Sequence, residues 1–243
     1  MCRRKQSCSE LGGDPATWSR RAPLMPPDWF RAQLPLFADA VRLAAEGEAE
    51  SARTQLGRVR ARELQDWYIE HAQMAGRFRK MHFGTSQPAT EGVDLDPLRS
   101  PQRFTKTVLR RDGYHCRYCG VGLVPKQVLQ AFGDVVGRDA FGLKGRNVER
   151  HGVVLAFRAN VDHVVPWAQG GRTDMDNLVS CCWGCNYGKS NYTLEEIGLD
   201  DPRHRPVGEA NGWDGLTSLL PALRAVARRQ AAGPSTNVDA DVM

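Results

Sequence analysis

The chain has 243 residues, 41% of them hydrophobic, which is enough for one substantial core with accessory elements. Its net charge of +5 suits a polyanionic partner without requiring one. No run of about 18 apolar residues occurs, and no apolar stretch of signal-peptide length follows the basic residues near the start, so we expect neither membrane spanning nor secretion. Seven cysteines, four of them in two C-x-x-C pairs, favour metal ligation in a reducing compartment over a disulfide framework. We therefore expect a cytoplasmic protein with no membrane partner.

The N-terminal part of the chain predicts an irregular segment followed by helices. Residues 1–27 are rich in Gly, Pro, Ser and Arg and lack periodicity, which indicates irregular structure in which Cys2 and Cys8 are ordinary thiols. Residues 28–83 carry two apolar stripes at helical spacing and predict a helical hairpin with its corner at Gly47. A histidine on such a stripe is usually packed and hydrogen-bonded, so we assign His71 to the core.

The remaining boundaries follow composition. Residues 84–101 contain three prolines and few apolar residues, and predict a linker. A second domain is expected at 102–200, followed by a C-terminal helical segment at 201–230 whose N-cap is Asp214. The tail at 231–243 is expected to be disordered.

The two C-x-x-C pairs predict a metal site. They are Cys116 with Cys119 and Cys182 with Cys185, and four thiolates match a closed tetrahedral zinc site. A long spacer separates the pairs, so either an insertion interrupts one shared site or the pairs act separately; we favour one shared structural zinc. Cys181 would point to the opposite side of a strand from its neighbour and is predicted to be a core residue.

The spacer, residues 122–159, is helix-like from Lys126 to Phe132 and carries several basic side chains, namely Arg138, Lys144, Arg146 and Arg150. Such a charged excursion is either a surface that contacts nucleic acid or a solvated face. The sequence favours neither interpretation. Neither His115 nor His151 occupies a motif position, and we assign them no role.

A cluster of chemically active residues follows the spacer. Asp162 and His163 lie in an apolar run that predicts a strand, and Pro166 is expected to end this strand early. A Gly-Gly turn and a second apolar run come next, and a short helix then carries Asn186. A histidine with an ordinary pKa of about 6.5 can take a proton from water at neutral pH. The carboxylate of Asp162 and the amide oxygen of Asn186 are hard ligands that suit Mg²⁺ or Mn²⁺. Asn177 ends a polar loop and is expected to lock it through an Asx hydrogen bond.

Blocks of this region resemble the HNH endonuclease family, whose core is a ββα-metal finger. The blocks are TKTVLRRDGYHCRYCG, DHVVPWAQGG, DNLVSCCWGCN and YGKSN, and the resemblance covers residues 104–199. It implies an α+β fold: a ββα-metal nuclease core stapled by a four-cysteine zinc site, with an N-terminal helical hairpin and a C-terminal helix.

The resemblance also implies an activity and roles for residues. It implies metal-dependent hydrolysis of DNA phosphodiester bonds, with His163 as the general base and Asp162 and Asn186 as ligands of the catalytic cation. Asn177 would stabilise the loop around the base. Because many relatives have histidine where this chain has Asn186, the chain is an H-N-N variant, and oxygen ligation favours magnesium. Arg172 and Lys189 are expected near the mouth of the site, where they would contact phosphates.

The sequence leaves two alternatives to a DNA endonuclease open. A non-catalytic zinc module that binds nucleic acid or protein would keep the cysteines, but it would need none of Asp162, His163 and Asn186. RNA is not excluded as a substrate, because the motif contacts phosphate and metal rather than a base or sugar. The N-terminal helices lack basic bias, which favours a protein partner or self-association. We expect the protein to be a nuclease that acts in a bacterial defence or mobile-element system.

Overall fold

A computed structural model of the chain describes three stretches, without the side chains of residues 73–76: residues 8–86, 93–207 and 212–232. Cys2, residues 87–92 of the predicted linker and the predicted disordered tail beyond residue 232 lie outside the described residues. Within the described stretches, no helix combines the length and the apolarity needed to cross a bilayer.

Helices form most of the N-terminal third. They are α1 (Asp28–Arg31), α2 (Gln33–Glu46), α3 (Ala49–Leu56), α4 (Ala61–Trp67) and α5 (Gln73–Phe83). A π-helical turn at Tyr68–Ala72 joins α4 to α5. Gly47 ends α2 with a φ of 93°, a left-handed conformation that glycine adopts without steric cost, so the predicted corner lies there. The two predicted apolar stripes lie on α2 and on the α4–α5 run, with α3 between them.

The predicted strand, turn, strand and helix are present. Strand β1 (Ala159–His163) pairs antiparallel with β2 (Leu178–Cys182), and α9 (Trp183–Lys189) follows directly. Helix α6 (Thr105–Arg111) lies at the start of the block TKTVLRRDGYHCRYCG and packs on both strands. The fold is α+β, as predicted, with a two-stranded sheet in an otherwise helical structure.

The turn between the strands depends on glycine. A Cβ atom at Gly171 would lie 1.8 Å from the carbonyl oxygen of Val165, so no larger residue fits this close approach. Gly170 has a φ of 85° and ends a short 3₁₀ helix at Trp167–Gln169. These glycines let the loop fold back over the end of β1.

In the part of the chain that the structure describes, the spacer and the C-terminal segment add three α-helices. The spacer contains α7 (Lys126–Val136) and α8 (Gly152–Phe157), and α10 (Leu220–Ala232) packs on α7. Asp214 accepts hydrogen bonds from the backbone N–H groups of Leu216 and Ser218, so it caps this segment as predicted, with one 3₁₀ turn before α10.

One hydrophobic core crosses the divisions that the sequence suggested. Phe37 of α2 packs against Phe132 of α7 and Phe141, with ring centroids 5.2 and 5.7 Å apart, and Phe30 of α1 lies 5.4 Å from Phe157 of α8. Burying each such ring contributes about 2 kcal/mol. The N-terminal helices and the spacer are therefore packed together, and the boundaries predicted at residues 83 and 101 do not separate two cores.

Candidate active site and metal centre

Four cysteines from two distant parts of the chain converge. The sulfur atoms of Cys116, Cys119, Cys182 and Cys185 lie within 4.8 Å of one another, and all four residues are buried. The Sγ atoms of Cys119 and Cys182 are 3.8 Å apart. Four thiolates about 2.3 Å from a zinc ion lie about 3.8 Å apart in a tetrahedron, so the arrangement fits zinc and is too wide for a disulfide. The predicted single shared cluster is present, and it can hold zinc.

The thiols of the cluster shift one another's pKa values in opposite directions. Burial raises the pKa of Cys116, but hydrogen bonds from Cys119, Cys182 and Cys185 outweigh that effect and hold it well below its usual value. Hydrogen bonds with Cys116 and Cys119 raise the pKa of Cys182, and burial raises the pKa of Cys185. Cys181 is fully buried outside the cluster, in agreement with its predicted place in the core. The N-terminal helices reach the cluster as well, since Arg31 of α1 donates a 2.8 Å hydrogen bond to the carbonyl oxygen of Cys119.

A buried cation lies beside the cluster. Arg79 of α5 is 0% exposed, and its guanidinium lies over the ring of Trp18 at 5.1 Å. Among the described residues, neither Nε nor Nη1 of Arg79 finds a hydrogen-bond acceptor. Burial lowers its pKa to about 10, while Cys185 and Tyr192 act in the opposite direction. A buried arginine normally has an anionic partner, and the neighbouring thiol cluster becomes one when it is ionised around a metal.

His163 is the last residue of β1 and is held from the loop side. Its Nε2 atom lies 2.9 Å from Oγ1 of Thr173, which is itself buried. The backbone N–H of Thr173 donates a 2.8 Å hydrogen bond to Asp96, and Nε1 of Trp167 donates to the Asp96 carbonyl oxygen. Burial lowers the pKa of His163, which favours the neutral imidazole at neutral pH. The side chain is thus oriented by a chain of contacts that reaches into the predicted linker.

Asn177 ties the two ends of the loop together. Its Oδ1 accepts from the N–H of Val165, and its Nδ2 donates to the carbonyl oxygens of Val165 and Arg172 at 2.9 and 2.8 Å. Its own carbonyl oxygen accepts from the N–H of Val164. The bonds with Val164 and Val165 join the residue before β2 to the residues directly after His163, and the bond with Arg172 holds the loop between them, which is the geometry expected of a residue that locks the loop.

Asp162 is buried on the other side of the strand end. Its Oδ2 accepts a 2.7 Å hydrogen bond from the hydroxyl of Tyr118 and lies 3.3 Å from Nζ of Lys189. Burial raises the pKa of Asp162, and the Lys189 ammonium and the Tyr118 hydroxyl oppose that effect. Oδ1 has no hydrogen-bond partner among the described residues. One oxygen of the carboxylate is therefore fixed, and the other remains available.

The candidate residues share one cavity. A pocket of about 420 Å³ is lined by Asp162 and His163 from β1 and by Asn186 from α9. Neighbouring side chains within a strand point to opposite faces of the sheet. Because β1 ends at His163, before Pro166 as expected, the side chains of Asp162 and His163 can both line the same pocket. Arg99 also lines the pocket, and its guanidinium lies over the ring of Trp167 at 4.9 Å.

Neither of the two predicted phosphate contacts offers an exposed cation in the pocket lining. Lys189 is 0% exposed, and its ammonium donates to the carbonyl oxygen of His163 at 2.7 Å in addition to pairing with Asp162. Because this ammonium is buried in an ion pair, it is not free to contact a phosphate at the mouth of the pocket. The predicted phosphate contact by Lys189 is therefore wrong, and its contacts instead hold the end of β1. Arg172 is exposed but lies outside the pocket lining, next to Asp174 at 3.5 Å. Among the described residues that line the pocket, Arg99 is the exposed arginine.

Sequence reasoning missed several residues of the site. Tyr118 lies between two cysteines of the first pair, and Thr173 opens the polar loop, yet neither residue type indicated a contact with Asp162 or His163. Asp96 and Arg99 fall in the segment predicted as a linker, where a lone carboxylate and arginine carry no pattern. Only the position of residues 93–100 against the loop makes them part of the site.

Comparison with known proteins adds one match. Neither curated proteins nor solved structures give a significant match to this chain. The family model of the HNH endonuclease matches residues 150–192. This range contains β1, β2 and α9, and with them Asp162, His163 and Asn186. The first cysteine pair lies outside the matched range, although the fold brings it to the second pair. The chain therefore carries an HNH endonuclease domain.

Proposed function

We propose that this protein is a metal-dependent endonuclease that hydrolyses phosphodiester bonds of DNA. The observation that carries the proposal is the single pocket shared by Asp162, His163 and Asn186 within the part of the chain that matches the HNH endonuclease family. A module that only binds nucleic acid would not need a buried carboxylate, a half-buried histidine and an amide oxygen around one cavity.

His163 is the general base of the proposed reaction. Because Nε2 is engaged by Thr173, the ring nitrogen left to accept a proton from water is Nδ1, which has no partner among the described residues. Its lowered pKa keeps the ring in the neutral form that can accept this proton. Thr173 and Asp96 act as positioning residues, since a base that rotates freely loses most of its advantage over bulk water.

Asp162 and Asn186 would hold the catalytic cation. The free Oδ1 of Asp162 and the amide oxygen of Asn186 are hard donors, the type that Mg²⁺ or Mn²⁺ prefers, and both residues line the pocket. When bound, such a cation stabilises the negative charge that develops on the phosphate during cleavage. Tyr118 and Lys189 fix the other oxygen of the carboxylate, and Arg99 can contact a phosphate beside the cut.

Zinc in the four-cysteine cluster would be structural. The four thiolates are buried and leave no open coordination position, which suits a closed site. The cluster joins the knuckle at Cys116 and Cys119 to β2 and α9, so it would hold the pocket in shape rather than take part in cleavage. We also propose a cytoplasmic location, because the cysteines of the described residues are free thiols, which suits a reducing compartment.

The direct test incubates the purified, zinc-loaded protein with supercoiled plasmid, linear duplex DNA and RNA, each with Mg²⁺, with Mn²⁺ and with EDTA. We expect nicked or linear plasmid in the presence of Mg²⁺ or Mn²⁺ and intact plasmid with EDTA. Failure to cut any of these nucleic acids with either cation would overturn the nuclease proposal. Cleavage of RNA with intact DNA would correct the substrate, and equal cutting in EDTA would remove the cation from the mechanism.

Arg79 gives a separate test of the zinc proposal. A zinc ion with four thiolates carries a net charge of about −2, which a buried guanidinium would partly neutralise. Arg79→Met is expected to weaken zinc binding by about tenfold or more, measured by chelator competition, while Arg79→Lys keeps most of the affinity. Without zinc, Arg79→Met should melt at the same or a higher temperature than the parent, because it removes a buried unpaired charge.

The matched control is Lys80→Met, which removes the same charge from the neighbouring, exposed position of α5. It is expected to bind zinc like the parent. Equal zinc affinity of Arg79→Met and Lys80→Met would show that the guanidinium does not balance the cluster.

A further inference from the structure

A second large cleft lies away from the candidate active site. Its volume is about 730 Å³, and α7, the spacer segment after it and the C-terminal helix α10 form its walls. None of Asp162, His163 and Asn186 lines it. The site described above therefore gives this cleft no role.

The cleft carries an excess of positive charge. Four exposed cations line it: Arg138, Lys144, Arg224 and Arg228. None of the four makes an ion pair with a described residue. Two carboxylates also line the cleft, but Glu149 is paired with Arg146 at 2.9 Å, which leaves Asp134 as the single exposed carboxylate without a cationic partner in the described residues.

Two distant parts of the chain supply these cations. Arg138 and Lys144 come from the spacer, and Arg224 and Arg228 come from α10, one helical turn apart on the same face. Burial of Leu223 and Val226 fixes α10 and turns the arginines towards the cleft. The basic residues of the spacer therefore differ in their surroundings. Arg146 is paired within the spacer, whereas Arg138 and Lys144 face the cleft.

A groove connects the cleft to the candidate active site. A pocket of about 530 Å³ shares Gln127 with the cleft, and it shares Pro101, Asn160 and Val161 with the cavity of His163. The cations that line this groove are Lys106, Lys126 and Arg158. Basic side chains thus follow a continuous path from the pocket of His163 to α10.

We propose that the cleft binds the phosphate backbone of the DNA duplex whose scissile bond lies at His163. The proposal rests on the proposed function. Cations spread along a groove fit a polyanion better than a single phosphate ion, which requires donors that converge on one point. Among the described residues that line the cleft, none is aromatic, so the contacts suit phosphates rather than stacked bases. The cleft would add affinity without sequence preference.

The test measures the affinity of the full-length, zinc-loaded protein for a fluorescent duplex of about 30 base pairs by anisotropy, without Mg²⁺ and over a series of salt concentrations. Arg228→Gln on one wall and Lys144→Gln on the other are each expected to weaken binding severalfold and to reduce the slope of log K against log salt by about 1. Arg229→Gln is the matched control, because it removes the same charge from the next residue of α10, which does not line the cleft.

Equal effects of Arg228→Gln and Arg229→Gln, or no effect of Arg228→Gln and Lys144→Gln, would overturn the proposal. A poly-glutamate that displaces the duplex at matched charge concentration would also overturn it in favour of an acidic polypeptide. Failure of the nuclease proposal has a different signature: the parent protein would cut no nucleic acid with Mg²⁺ while the variants still lost duplex affinity. In a functional nuclease, both cleft variants should raise KM for DNA and leave kcat unchanged.

Discussion

His163→Ala is expected to lower the rate of magnesium-dependent plasmid cleavage by about 10² to 10⁴-fold, the usual contribution of a positioned general base. The loss should be in kcat, because the imidazole acts on the attacking water and not on the DNA backbone. Zinc content and melting temperature are expected to stay close to those of the parent, since within the described residues the half-buried ring makes one side-chain hydrogen bond, to Thr173.

The control for this variant is His204→Ala, an exposed histidine outside the pocket. It should cut DNA at the parental rate. Equal cleavage by His163→Ala and the parent would end the assignment of the base, whereas loss of zinc or a large fall in melting temperature would show that the ring is needed for the fold instead.

Cys119→Ser is expected to reduce zinc content and stability together. Removing one of four thiolates opens the closed site, and structural zinc supplies free energy of folding that a two-stranded sheet and a seven-residue helix cannot obtain from packing. We expect a loss of roughly 3 kcal/mol or more in unfolding free energy, because breaking such a site is among the few single changes with effects of that size. The measurements are zinc per chain and thermal melting with and without chelator.

Cys181→Ser is the matched control. Cys181 is buried next to Cys182 but lies outside the cluster, so this variant should lose some packing and keep its zinc. The cluster would be misassigned if Cys119→Ser retained a full equivalent of zinc and melted like the parent. Because Arg31 of α1 contacts the carbonyl oxygen of Cys119, loss of the metal should also loosen the N-terminal helices, detectable as faster amide exchange there.

The amino-acid sequence was sufficient for the local units of the site. The order of an apolar run, the Gly170–Gly171 turn, a second apolar run and a short helical segment predicted β1, β2 and α9. The position of Asn177 at the end of the polar loop predicted that its side chain would lock this loop. These features depend on residues close together in the chain, so spacing and turn chemistry specify them. The cysteine pairs were recognisable for the same reason, since each C-x-x-C is a local turn.

Only the tertiary structure decided which distant groups meet. It brought the two cysteine pairs together across a long spacer, placed Asp96 of the predicted linker behind Thr173, and aligned Arg228 with Lys144 across one cleft. It also turned Lys189 inward onto Asp162, where the sequence had predicted a contact with phosphate. Residue spacing fixes the face of a helix or strand on which a side chain lies, but the packing of the whole core determines what that face contacts, and no local pattern contains that information.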